Sequence, residues 1–272
     1  MRGTGTQADP YIVDNYPDFV TAAETDQAYV EFVPNTKIDM NSVSPLGVGQ
    51  LTLKCRSIDG KGSEITDLFC NDNNYIYFDR SGKSCDISHL KLTNFICERT
   101  LIYCNAGSLT FKECIFSGIR LGQSSAYTVI YANTSSGSSA SLVFTADNLG
   151  CALTIDAPDM SFCNGYYSHC PSFYNSNLKI NCNSLVYSPN NSIYLENSYL
   201  SGNIKYANAI RSKYSVINTA SDSVTAYSAG SIIKTLVNSD KAEIVDQYFD
   251  SVTSEQMRDA EYLQSIGFPI GA

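Results

Sequence analysis

Residues 108–118 read SLTFKECIFSG: apolar and polar positions alternate, then stop at Ser-Gly. An alternation of this kind marks a strand that buries one face. Laid over SIYLENSYLSG, residues 192–202, the stretch pairs Leu109 with Ile193, Phe111 with Leu195, Phe116 with Leu200, and Ser-Gly with Ser-Gly. The same apolar-x-apolar start recurs in HLKLTNF (89–95), SLVFTADNLG (141–150) and NLKINCNSL (177–185). The anchors fall at 90, 109, 142, 178 and 193, with gaps of 19, 33, 36 and 15 residues. The unit repeats although the spacing drifts. Short one-faced strands separated by Gly, Ser and Asn fit a β-sandwich or a β-solenoid. Hairpin signals are scarce, since Asn164-Gly165 is the one Asn-Gly between strands. Like offsets inside each strand favour stacking of like residue over like residue. The expectation is therefore an all-β, single-stranded, right-handed parallel β-helix. Eight to ten coils at ~4.8 Å each give a rod of roughly 40–50 Å.

The two flanks carry a different period. In ADPYIVDNYPDFVTAAE an extended run to Val13 gives way to a helix that Asp14 or Asn15 can cap, with Pro17 in its first turn. Phe19, Val20 and Ala23 form an apolar face suited to covering the first coil. The first coil strands are expected in YVEFV (29–33) and QLTLKC (50–55). Near the other end, Thr253 and Gln256 have capping-box spacing, Met257, Ala260 and Leu263 share a helical face, and Gly267 stands where a helix would stop. That short amphipathic helix either packs on the last coil or docks a neighbour. The division predicted is 1–28 for the N-terminal strand and capping helix, 29–250 for the β-helix, and 251–272 for the C-terminal helix and tail.

Composition narrows the partners. With 18 basic and 27 acidic residues the chain carries a net charge of −9, the wrong sign for a phosphate backbone, so no nucleic-acid partner is expected. No apolar run is long enough for a transmembrane helix, no membrane insertion is expected, and the start MRGTGTQADPYIV has no signal-peptide core. The ten cysteines form no C-x-x-C pair, and most sit inside strand-like runs. They read as buried reduced thiols acting as small hydrophobes, as in a reducing cytoplasm; neither metal nor cofactor is expected.

GTGTQADPYIVDNYPDFVTAA resembles the opening of right-handed β-helix proteins of the pectate-lyase-like superfamily, especially those of phages and bacterial surfaces. ISHLKLTNF followed by SLTFKECIFSG resembles their coil repeats, and TSEQMRDAEYLQSIGFPI resembles a tail that follows such repeats in bacterial and prophage proteins. In those proteins the tail often continues with a Trp, whereas this chain has none. The resemblance implies the fold, and it raises the question of polysaccharide chemistry. Lyases of this fold use clustered Asp for calcium and an Arg base; hydrolases use paired carboxylates on neighbouring coils. Here there is no Asp-Asp, Asn-Thr-Asp or Gly-His-Gly, and the coil carboxylates weighed for such a role are Asp86, Glu98, Glu113, Asp147, Asp156, Asp159 and Glu196. Glu113 and Glu196 occupy neighbouring places in the repeat and are the pair that stacking would have to bring together. His89 reads as an outward strand residue and His169 as a turn residue.

The 19 tyrosines, against no Trp, are the most overrepresented feature. Tyr joins a large apolar area to a polar tip and suits interfaces, although it also tiles an outer β-face. The expectation is a non-enzymatic virion structural protein (a head fibre, decoration protein or tail-associated spike) assembled in the host cytoplasm and displayed on the virion surface. Its partners would be other virion proteins, further copies of itself, and a host surface glycan. The alternatives are a polysaccharide-degrading lyase or glycosidase, or a bacterial surface adhesin. Candidate docking residues are Phe19, Met257, Leu263, Phe268, Tyr166, Tyr167, Tyr194 and Tyr199.

Overall fold

The computed structural model describes residues 1–44, 46–70, 74–97, 99–121, 128–132, 140–147, 151–164, 171–187, 192–228 and 230–268. Among these residues every pairing between strands is parallel, and each strand pairs with the equivalent strand one turn of chain away. The chain is a parallel β-helix. Face A runs through Tyr11–Val13, Tyr29–Phe32, Ser57–Asp59, the ends of Asn74–Ser88 and Thr100–Lys112, then Ala140–Thr145, Ser172–Tyr174, Ile193–Glu196, the end of Tyr199–Lys213, and Ile232–Ile233. Ten rungs, nine steps of ~4.8 Å, give a rod of about 43 Å.

Inward positions stack into columns, because parallel in-register pairing puts equivalent residues over one another. On face A the column is Val30, Ile58, Ile87, Phe111, Phe144, Phe173, Leu195. Its three phenyl rings lie nearly parallel, with centroids 5.0 and 4.9 Å apart. On face B it is Ile38, Ile65, Leu92, Phe116, Leu153, Leu178, Leu200, Ile217, Val237. On face C, Leu51, Ile76, Ile102, Ile130, Cys163 and Val186 follow one another. These side chains form one continuous buried core.

SLTFKECIFSG therefore covers two faces and the corner between them. Ser108–Lys112 lies on face A, Glu113 turns the chain, and Ile115–Ser117 lies on face B. Leu109, Phe111, Cys114 and Phe116 all point inward, as their spacing predicted. The alignment across anchors was less faithful. SLVF and SIYL share face A with SLTF, whereas HLKL and NLKI belong to face B. Both faces bury alternate residues, so the period-2 pattern cannot tell them apart.

The corner between faces A and B is one residue in the left-handed region, followed by an inward residue. The turning residues include His89 (φ 51°), Glu113 (53°), Asn175 (49°), Asn197 (48°) and Tyr214 (50°). Asn and His are among the residues that adopt this conformation most readily, and Glu113 and Tyr214 are strained in it. Each corner N–H donates to the next rung, from His89 to Lys112 and from Glu113 to Thr145 for example, which holds the turn. His89, expected on a strand, is thus a corner residue. Further along, the inward residues after the corner are Ser176, Ser198, Ser215 and Thr235, all buried. The Ser198 hydroxyl donates to the carbonyl of Glu196 (2.9 Å) and accepts from the Ser176 N–H (3.2 Å), and the Ser198 N–H donates to Ser215 Oγ (3.2 Å).

The two ends differ. The helix Tyr16–Ala23 is capped by Asn15, whose side chain accepts from the Asp18 N–H, with Pro17 in its first turn. It buries Phe19, Ala22 and Ala23 against the first rungs, with Phe19 5.1 Å from Phe32. The space left between Phe19, Leu53, Tyr75 and Phe116 is about 10 Å³. At the other end the capping box forms, Thr253 N–H to Gln256 Oε1 (2.8 Å) and Gln256 N–H to Thr253 Oγ1 (3.2 Å), but it opens a single 3₁₀ turn, Gln256–Arg258. The helix Ala260–Ser265 then starts at Asp259 and stops before Gly267 (φ 70°), burying none of its residues. None of the described helices is long and apolar enough to cross a membrane.

Candidate functional site

Face A places Lys112, Thr145, Tyr174 and Glu196 on successive rungs. Glu113 follows Lys112, so Glu113 and Glu196 stand three rungs apart, about 14 Å along the rod. Paired glycosidase carboxylates sit ~5–9.5 Å apart, so stacking does not make these two a pair. Asp147, just after face A, is bound to Lys112 (3.1 Å), and Asp156, further along the same coil, to Asn181 (3.3 Å). Glu98 and His169 lie outside the described residues.

What the solenoid does gather is a line of charge along the A–B corner. His89 Nδ1 is 3.0 Å from Asp59 and its Nε2 is 2.9 Å from Glu113; Lys61 holds the other oxygen of Asp59 at 2.9 Å. Burial pushes the Asp59 carboxyl up, yet the Lys61 and His89 hydrogen bonds outweigh it and the group ends below its usual value. The Tyr194 hydroxyl donates to Glu196 (2.7 Å) and Lys213 pairs with it (3.1 Å), which together hold Glu196 low. Lys112 does the same for Asp147. Among the described carboxylates every resolved shift is downward. A general acid working near neutrality needs the opposite shift. These carboxylates stay ionised and bind their neighbours.

Sequence spacing alone could not reveal the Asp59–His89–Glu113 contact, since 30 and 24 residues separate its members. The signal was the rung step itself, with Ile58, Ile87 and Phe111 stacked one residue or two before each of the three.

The tyrosines divide. Tyr77, Tyr103 and Tyr131 form an outward column on face C, with centroids 5.3 and 4.6 Å apart and planes within 13°. Both faces of the Tyr103 ring are thereby covered, so it offers no platform to a sugar. Tyr194 is half-buried and tied to Glu196. Tyr166 and Tyr167 lie outside the described residues. Phe19, a candidate for docking, is 2% exposed inside the N-terminal cap.

The described residues form concave surfaces at two further places. An open groove of about 610 Å³ runs past Asp156, Asn181, Asn203, Lys205, Asp222 and Lys241. Its floor is an amide ladder in which Asn181 donates to Asp156 (3.3 Å) and the Asn203 N–H donates to Asn181 (3.0 Å). A pocket of about 350 Å³ brings Met257, Leu263 and Phe268 against the outer side of face B at Tyr199, Val216 and Leu236. The C-terminal segment therefore folds back along the flank of the rod. The described residues hold no group of three or more His, Cys, Asp or Glu arranged for a metal.

Compared with known proteins, the chain matches no family model, no curated protein and no solved structure.

Proposed function

We propose that this chain is a non-enzymatic structural rod of a bacteriophage particle: a head fibre, decoration protein or tail-associated spike of pectate-lyase-like ancestry. The observation that carries the reading is the state of the outer carboxylates. Asp59, Asp147 and Glu196 are held ionised by partners, each with one on a neighbouring rung, which ties the rungs together, and none of the three is a poised acid. The buried thiols suit folding in a reducing cytoplasm, and the hydroxyl-rich, low-charge surface suits a particle exterior. The resemblance of the N-terminal and C-terminal segments to phage and prophage β-helix proteins supports the particle. The amide-floored groove at Asn181 and Asn203 is where a host glycan would hydrogen-bond.

Immunogold microscopy of lysate particles tests the placement, and labelled particles are expected. Incubation with polygalacturonate and other acidic polysaccharides tests the chemistry. Turnover that disappears in Glu196→Gln or Asp59→Asn would favour the lyase or glycosidase reading instead.

A further inference from the structure

The two ends of the rod are unequal: among the described residues a helix covers the N-terminal one, and none covers the strands at the C-terminal one. Ile232–Ile233, Ala242–Ile244 and Asp250–Val252 are the last described strands of their faces, the third stacked on Leu236–Asn238 of the coil that holds the other two. Each of these strands pairs on one side only, with the rung before it. Among the described residues no strand lies beyond them. Phe249 belongs to the buried core, 7% exposed, whereas Val245 and Tyr248 in the same stretch of chain are 59% and 41% exposed. The C-terminal helix does not cover these strands, because Met257, Leu263 and Phe268 lie on the flank of face B and Lys234 Nζ ties the segment there through the Ile266 carbonyl (3.1 Å). An uncovered edge of parallel strands with apolar neighbours is a template for one more rung.

Charge decides what fits it. Residues 231–252, which carry these strands, hold four carboxylates, among them the exposed Glu243 and Asp250, against Lys234 and Lys241. Residues 1–28 at the other end hold five carboxylates against Arg2. A second copy stacked end to end in either sense brings like charges together. We propose that the C-terminal rung docks an extended basic segment of a different protein, which adds to the stack as a further parallel strand, with apolar side chains against Val245 and Tyr248 and cations near Glu243 and Asp250. The inference rests on the reading of the chain as an attached rod, and it names the attaching end.

A fluorescent ten-residue peptide of alternating Val and Lys, titrated against the full chain at low salt, tests it. Saturable binding is expected, weakened about tenfold or more by the surface pair Glu243→Lys and Asp250→Lys. Hydrogen exchange should slow at 232–233, 242–244 and 250–252 when the peptide is present. Absence of binding overturns the proposal. So does equal binding of an alternating Val-Glu peptide, protection elsewhere on the rod, or sedimentation showing that the chain fills this edge with its own copy. Peptide binding without particle labelling keeps the docking edge and removes the virion; labelling without peptide binding does the reverse.

Discussion

At the scale of single residues, the polar groups inside this protein hold the backbone in place. Ser198 bonds in three directions at a corner where the next rung also carries a serine. Replacing Ser198 with Ala leaves the buried Ser176 N–H without its acceptor, and urea unfolding should report a loss of about 1–3 kcal/mol. The thiols behave as filler. Nine described cysteines are buried, and burial pushes Cys104, Cys114 and Cys182 up to about 12 and Cys151 up to about 11. In the unfolded chain these groups ionise near their ordinary 9.0, so unfolding releases protons that the folded state keeps. Their contribution is complete below pH 9 and falls away as pH rises toward 11 and 12. The urea midpoint should therefore drop between pH 8.5 and 10.5, and a flat profile contradicts the assignment. At pH 8 the nine thiols should resist a thiol reagent until the chain is unfolded.

At the scale of elements, the columns carry the fold. Phe144 sits between Phe111 and Phe173 on consecutive rungs. Phe144→Ala removes the middle ring and should cost about 3–5 kcal/mol in a denaturant titration. Gly202 shows what the Ser-Gly ending of the motif requires. Its φ is 113°, and a Cβ there would lie 2.1 Å from the Ile180 carbonyl oxygen on the neighbouring rung. Gly202→Ala should lower the melting temperature through the pairing of Asn177–Lys179 with Tyr199–Ser201, whereas Gly82→Ala, with φ 68° but open space around it, carries the backbone strain without the clash and should cost less. This is also where the sequence was most and least legible. Alternation of Leu109, Phe111 and Phe116 with polar neighbours identified inward residues correctly, because burial acts residue by residue. It could not assign Leu92 to face B and Leu109 to face A, because the two faces differ in their neighbours across rungs and not in local pattern. The corners were hidden as well. His89, Asn175 and Asn197 follow the rule for left-handed residues, but Glu113 and Tyr214 occupy the same turn under the force of the stack.

At the scale of the whole molecule, coil lengths vary while the columns stay in register. The step from Phe111 to Phe144 is 33 residues and that from Leu195 to Ser212 is 17, yet both are single rungs. Variable corners and loops absorb the difference, which is why the repeat drifted in the sequence. One end is sealed by Phe19, Ala22 and Ala23, and the other keeps, among the described residues, a free edge above a flank-bound tail. The candidate site was less legible than the fold: charged contacts such as Asp59–His89–Glu113 depend on how many residues each coil contains, which no local pattern states. The most direct test of the whole reading is quantitative mass spectrometry of density-purified particles from lysates of the cells that make this chain. The account predicts its peptides at a fixed copy number relative to the major capsid component. Peptides spread through the soluble lysate and missing from the particles would contradict it.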